Sequence, residues 1–207
     1  MKISADSRSP DKAEAILAAA TATFLQHGYA HTSMDRVALQ AGVSKHTIYN
    51  HFGDKRGLFR ALIEHMVLRH FALELTEPLP LHLPPAVVLK NIAQILLTLK
   101  EDPDYIAFLR LMIAESENFP DLSELYAQEV MKCGHDWFVA YANAHPQIHF
   151  THPSQVAHIF FGAITAHIIG QEILGAKRVI PIESAGFIDT LIEMVTTQGQ
   201  HDKSSLP

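Results

Sequence analysis

Thr32 to Phe59, TSMDRVALQAGVSKHTIYNHFGDKRGLF, is the stretch that decides the fold. It reads as helix, tight turn, helix, and the opening of a third helix. Thr32 stands as an N-cap, with Asp35 three residues on to complete a capping box. Val37, Ala38 and Ala41 recur at helical spacing, and Gly42 follows where a helix C-cap belongs. Ser44 caps a second short helix running to Phe52, whose inward pair is Ile48 and Phe52. The small residues Ala38, Ala41 and Gly42 let two short helices cross closely, as a helix-turn-helix requires. With Ile48 and Phe52 inward at 100° per residue, His46, Thr47 and Asn50 face most directly outward. Tyr49 and His51 flank them, and Lys45 reaches out from the first turn.

Lys45, His46, Thr47, Tyr49, Asn50 and His51 form a donor-rich surface suited to base edges and phosphates. Asp54 caps the following helix, which puts Lys55 and Arg56 beside its positive N-terminus. Cations there are unfavourable for the helix alone, but they suit a bound phosphate. With the cap residues Thr32 and Ser44 and the adjacent Ser33, these side chains and Lys55 make the candidate DNA-contact set. Ala38, Gly42 and Ile48 alone would equally describe a solvated helical hairpin.

The longer pattern T-S-M-D-x-V-A-x-x-A-G-V-S-K-x-T-I-Y-x-H-F-x-x-K-x-x-L-F is more specific. From Ala13 through about His70 the chain resembles the N-terminal DNA-binding domain of the tetracycline-repressor (TetR) family. That resemblance implies an all-helical homodimeric regulator, usually a repressor that leaves DNA on binding a small molecule. It also implies base contacts by Lys45, His46 and Thr47 and phosphate contacts by Tyr49, His51 and Lys55. His46 departs from the pattern, standing where a small residue is frequent. Leu109–Leu122, LRLMIAESENFPDL, resembles the C-terminal region of the AefR-like subgroup.

Composition agrees with a helical protein that meets DNA at one end. The 207 residues are 48% hydrophobic with only 10 Gly, and the net charge is −6. The charge is unevenly spread. Residues 1–70 carry 9 Lys and Arg against 6 Asp and Glu, a net of +3, and residues 71–207 carry 7 against 16, a net of −9. A basic head on an acidic body fits DNA contact confined to the head. Cys133 is the single cysteine, which excludes an internal disulfide and fits a reducing cytoplasm. The opening MKISADSRSP lacks the apolar core of a signal peptide. Val156 to Leu174 is apolar but interrupted by His158, His167, Gln171 and Glu172, so it reads as a buried helix and no membrane span.

Along the chain, Ser9-Pro10-Asp11 starts a first helix with Ala13, Ile16, Leu17, Ala20 and Phe24 inward, ending at Gly28. The helix begun near Lys55 continues past His70. ELTEPLPLHLPPA, residues 74–86, holds Pro78, Pro80, Pro84 and Pro85, and no helix crosses it. The expected division follows: a DNA-binding domain at 1–73, with its recognition helix at about 44–52, and a helical ligand-binding and dimerisation domain at 74–207. Further helices are expected over Ala86–Leu99, from Pro103 to near Pro120, over Asp121–Ala144, from Pro153 to Leu174, and from Pro181.

Phe108, Met112, Trp137, Tyr141 and Phe161 are the candidate lining of a small-molecule pocket. Val156, Phe160, Ile164 and Ile168, with Phe187, Ile188, Leu191, Ile192 and Val195, are the candidate dimer interface, paired as a four-helix bundle. The chain has 14 histidines, and His145, His149 and His152 share one loop. Their spacing matches no closed metal site, so surface histidines and no metal are expected. No Gly-rich phosphate loop, H-E-x-x-H or G-x-S-x-G occurs, and Glu115 and Glu117 diverge on a helix. No catalytic group or cofactor is therefore expected. The reading is an all-α, non-enzymatic transcriptional regulator that binds a palindromic operator as a homodimer. Two alternatives stand beside it: a ligand-independent DNA-binding regulator governed by a protein partner or by Cys133 oxidation, and a helical enzyme whose head imitates the motif.

Overall fold

The computed structural model describes residues 10–68 and 78–204, and every regular element among them is helical. Helix α1 spans Pro10–His31, α2 Met34–Ala41, α3 Lys45–Phe52 and α4 Lys55–Ile63. Then come α5 (Pro85–Thr98), α6 (Pro103–Glu115), α7 (Pro120–Tyr126), α8 (Lys132–Ala144), α9 (Pro153–Ile168) and α10 (Ser184–Ser204). Proline opens α1, α5, α6, α7 and α9, where its fixed φ suits the first turn and its missing N–H leaves nothing unpaired.

The chain forms two compact units. One comprises Met1–Arg69 with Ala107–Glu129, and the other His70–Ile106 with Val130–Pro207. Residues 107–129 therefore pack with the N-terminal helices, in place of the expected assignment of all of 74–207 to the body. The reason is aromatic. Phe108 meets Phe59 at 6.2 Å between centroids, and Phe119 meets the Tyr29 ring edge-on at 5.0 Å.

The core of the first unit is built on Ile16, Ala20, Phe24, Val37, Ile48, Leu58, Phe59 and Leu62, all buried. Phe24 and Phe59 meet edge-to-face at 5.2 Å. Burying each such ring contributes about 1.5–3 kcal/mol. In the second unit α8 packs along α9, and α5 along α10. Phe138 meets Phe160 at 5.6 Å and Phe150 at 6.1 Å at its centre. Lys90 on α5 reaches Asp189 on α10 at 2.6 Å, and Lys100, in the 3-10 turn that follows α5, reaches Ser184 Oγ at the start of α10 at 2.5 Å.

Several expected boundaries shift. The helix from Asp54 passes into a π-helical turn at Glu64–Leu68, and its expected course past His70 lies outside the described residues. The same holds for residues 74–77 of the proline-rich stretch. A break after Glu115 ends α6 before Pro120. The expected long helix from Asp121 is instead α7, a π-helical turn at Ala127–Met131, and α8. Pro181 does not open the last helix, which starts at Ser184. One helical run, Pro153–Ile173, is long and apolar enough by length and composition alone to cross a membrane.

Candidate nucleic-acid interface and body site

Side-chain caps set the geometry of α2, α3 and α4. Ser33, and not Thr32, is the N-cap of α2, accepting the Arg36 N–H at 3.3 Å. Thr32 is only 3% exposed. Its hydroxyl is directed inward, donating to the Gly28 carbonyl at 2.8 Å and lying 3.2 Å from that of Thr23. Thr32 therefore leaves the set of side chains able to reach DNA. Gly42 ends α2 in the left-handed region (φ 65°, ψ 29°), a conformation that costs a side-chain-bearing residue free energy. Val43 N–H then donates to the Ala38 carbonyl at 3.0 Å, closing the turn.

Ser44 caps α3, accepting the Thr47 N–H at 3.1 Å, and the two hydroxyls lie 2.8 Å apart. Ile48 anchors the helix in the core. Phe52, the expected second anchor, is only half-buried. Lys45, His46, Tyr49 and Asn50 are exposed, while Thr47 and His51 are half-buried. Lys45 Nζ lies 2.8 Å from Asp35 Oδ2, and that hydrogen bond raises the pKa of the ammonium.

Asp54 caps α4, accepting the Gly57 N–H at 2.7 Å. Lys55 Nζ sits 4.3 Å from the centre of the Tyr29 ring and donates to the Ala30 carbonyl at 3.3 Å. Burial lowers the pKa of this ammonium, and the Glu115 carboxylate opposes that shift. Arg56 Nε lies 3.8 Å from Asp121 and Arg60 Nε 3.2 Å from Glu129. No sequence pattern marks these acids, because each lies more than sixty residues from its partner.

The five residues expected to line one pocket are divided. Phe108 and Met112 belong to the first unit; Trp137, Tyr141 and Phe161 belong to the second. There Trp137 and Tyr141 stack at 5.1 Å and 6° on one face of α8. Trp137 Nε1 and the Tyr141 hydroxyl are buried without a hydrogen-bond partner, as are His167 Nε2 and Ser123 Oγ. Burial pushes the Tyr141 pKa up to about 12. An open cleft of about 540 Å³ lies elsewhere, lined by Pro181, Ile182, Glu183, Gly186, Phe187 and Thr190.

Most of the expected dimer residues face inward. Phe160, Ile164, Ile168, Ile188, Leu191, Ile192 and Val195 are each 0–6% exposed within the single chain. Side chains so enclosed have almost no surface left for a partner. Val156 and Phe187 are half-buried, and Phe187 stacks on His167 at 4.4 Å. The outward faces of the same two helices carry Ile159, Gly162 and Ala166 on α9, and Gly186, Thr190 and Met194 on α10.

His145 is buried, not on the surface. Its Nδ1 accepts the Gln147 N–H at 3.1 Å, so Nε2 carries the proton donated to the Leu83 carbonyl at 3.0 Å. His149 and His152 are exposed. No group of three His, Cys, Asp or Glu residues able to hold a metal occurs among the described residues.

A capped helix-turn-helix on an all-helical chain defines the class, and comparison with known proteins agrees. Residues 16–62 match the family model of bacterial regulatory proteins of the tetR family, and residues 87–197 match that of the AefR-like transcriptional repressor C-terminal domain. The chain belongs to the TetR family. These are families of regulators, not of enzymes. An uncharacterised HTH-type transcriptional regulator of Bacillus subtilis, YhgD, is 43% identical over 77 residues, covering 36% of this chain and 40% of that one. The chain spans less than half the length of the curated relatives it matches. Two solved structures share the fold. The flavonoid-responsive regulator FrrA is 24% identical with TM-score 0.70, covering 94% of this chain and 97% of that one. A TetR-family regulator from Mesorhizobium loti is 24% identical with TM-score 0.68, covering 92% and 97%.

Proposed function

We propose that the protein is a cytoplasmic, homodimeric transcriptional repressor that grips a palindromic operator and leaves it when a small molecule binds the body. The observation that carries this reading is α3. Its start is capped by Ser44, its one deeply buried side chain is Ile48, and its exposed face offers Lys45, His46, Tyr49 and Asn50. A helix held by a single inward anchor and closed at its N-terminus leaves its polar face free for a major groove. Lys55 and Tyr49 serve as phosphate contacts, while His46 and Thr47 read bases. Ser33 and Ser44 are spent chiefly on capping, though their exposed positions let them face the backbone.

Support for an effector comes from Trp137 Nε1 and the Tyr141 hydroxyl, buried with no partner. Each such atom costs about 1–3 kcal/mol unless a bound molecule or water completes it. Support for a dimer comes from Ile159 and Met194, 59% and 67% exposed on neighbouring outward faces beside small residues. Small residues let two helices approach closely across a two-fold axis.

The test is enrichment of a random duplex library by the wild-type protein, followed by binding of the selected duplex. His46→Ala and Thr47→Ala are each expected to relax discrimination at the base they read by about 1–3 kcal/mol. A wild-type protein that enriches no duplex is not a sequence-specific regulator.

A further inference from the structure

Helix α1 bends just before it meets the helix-turn-helix. Gly28 leaves helical dihedrals at φ 75° and ψ 169°. At the bend the Tyr29 N–H donates to Glu115 Oε1 at 2.9 Å, across 86 residues of sequence. The positive φ favours glycine at residue 28, and a Cβ there would lie 2.8 Å from that same oxygen, so a side chain would push the Glu115 carboxylate aside. Beyond the bend, the Tyr29 ring is wedged between Phe24, Phe59 and Phe119, at 5.8, 5.2 and 5.0 Å. Lys55 rests on that ring, and its second holding point is the next carbonyl, that of Ala30. The chain of contacts runs from Glu115 to the Tyr29 backbone, and from Tyr29 and Ala30 to the Lys55 ammonium.

We propose that Glu115 is a positioning residue for DNA binding: by holding the Gly28–Tyr29 bend it fixes the seat from which Lys55 meets a phosphate. The inference rests on the reading of Lys55 as a phosphate contact. Glu115 does not itself favour DNA, since a carboxylate repels phosphate. Its effect passes through Lys55, and this separates it from a residue that merely keeps the unit folded. A general loss of folding weakens binding to every duplex without changing the number of phosphates neutralised. A misplaced Lys55 lowers that number by one.

The experiment measures affinity against salt for a fluorescein-labelled mixed-sequence duplex of about 30 base pairs, about three helical turns. The proteins are wild type, Lys55→Ala, Glu115→Ala and the double variant. Lys55→Ala is expected to weaken binding about tenfold, as for removal of one charge-assisted hydrogen bond. It should also lower the salt slope by about 0.9. Glu115→Ala is expected to reproduce both changes and to add nothing in the Lys55→Ala background. Gly28→Ala is expected to behave as Glu115→Ala does. If Lys55→Ala alone leaves the slope unchanged, the reading of Lys55 fails and takes this inference with it. If Lys55→Ala behaves as stated but Glu115→Ala keeps the wild-type slope, or its loss adds to that of Lys55→Ala, only the role of Glu115 is overturned. Glu115→Gln retains an acceptor for Tyr29 and so separates the bend from the charge. It should keep the wild-type salt slope and affinity within about twofold, where Glu115→Ala lowers both. A slope for Glu115→Gln as low as that of Glu115→Ala overturns the assignment of the effect to the bend.

Discussion

The α2–α4 region and the α8–α10 region treat polar groups in opposite ways. Around the helix-turn-helix, Ser33, Ser44 and Asp54 each accept a backbone N–H at the start of a helix, and Lys45, His46, Tyr49 and Asn50 are exposed. In the body, Trp137 Nε1, the Tyr141 hydroxyl and His167 Nε2 are buried without partners. Meanwhile Ile159, Leu174, Val179, Ile180 and Met194 are exposed. The first region caps its own helix starts, and its one large aliphatic side chain left bare is Leu39. The second is unfinished inside and outside, with unmet hydrogen bonds in its core and uncovered apolar surface. That contrast fits the proposed division between a DNA-reading head and a body completed by a partner.

The largest expected effect tests the outer half of the contrast. Ile159→Asp with Met194→Asp should give a monomer of unchanged helical content that binds the selected duplex about a thousandfold more weakly, near the non-specific level. Sedimentation at micromolar concentration checks the first part and fluorescence polarisation the second. Charges at Ile188 and Leu191 would not make this test. Both are buried within one chain, so the variant would lose its own packing before it revealed anything of a dimer. A double variant that still sediments as a dimer would show that these outward faces are not the interface.

The uneven legibility of the sequence follows the same contrast. A cap and the residue it serves lie three positions apart, so Ser44, Asp54 and Gly42 are readable without any tertiary knowledge. Thr32 is easily mistaken for the cap because Thr and Ser are both good caps and stand side by side. Only the register of Phe24, Gly28 and Thr23 beneath the turn draws Thr32 inward. Glu115 looks idle in the sequence because a helix wheel shows only its neighbours, whereas its partner lies 86 residues away. The expected dimer residues point inward for a related reason. Periodicity finds the apolar face of α9 or α10, but it does not say whether that face meets α5 and α8 or a second chain. Ile159 and Met194 stand alone among polar or small neighbours, and no periodic pattern marks them.

A smaller effect tests the inner half. Tyr141→Phe removes a buried hydroxyl without a partner, so the ligand-free protein should gain about 1–3 kcal/mol and melt at higher temperature. The pH dependence has a definite sign. Tyr141 has a folded pKa of about 12 against an ordinary value of 10.0, so the unfolded chain loses the proton first. Stability is full below pH 10.0 and falls as pH rises towards about 12, and Tyr141→Phe should flatten that fall. His167 works from the acid side. Burial lowers its pKa below 6.5, so the unfolded chain takes up the proton first and stability falls as pH drops through that value. His167→Leu should blunt the acid fall and leave the alkaline one intact. If Tyr141→Phe lowers the melting temperature instead, the hydroxyl has a structural partner, and the case for an effector there collapses.

The smallest expected effect is nil, and it decides between two kinds of regulator. Cys133 is exposed on the first turn of α8, next to Lys132, whose ammonium pairs with Asp136. A thiol that governs DNA binding by oxidation must either join a second thiol or alter packing when it gains oxygen. The chain has one cysteine, so no internal disulfide can form. An exposed side chain that gains oxygen also displaces no core. With peroxide and no other thiol present, a disulfide between two copies is the remaining route, and it would appear as a peroxide-dependent covalent dimer. Cys133→Ser should therefore leave melting within about 0.5 kcal/mol of wild type, as surface substitutions do. Operator affinity should be the same with and without peroxide, for the variant and the wild type alike. Peroxide-dependent release of the wild type, absent in Cys133→Ser, would transfer the regulatory role from the Trp137–Tyr141 face to the thiol.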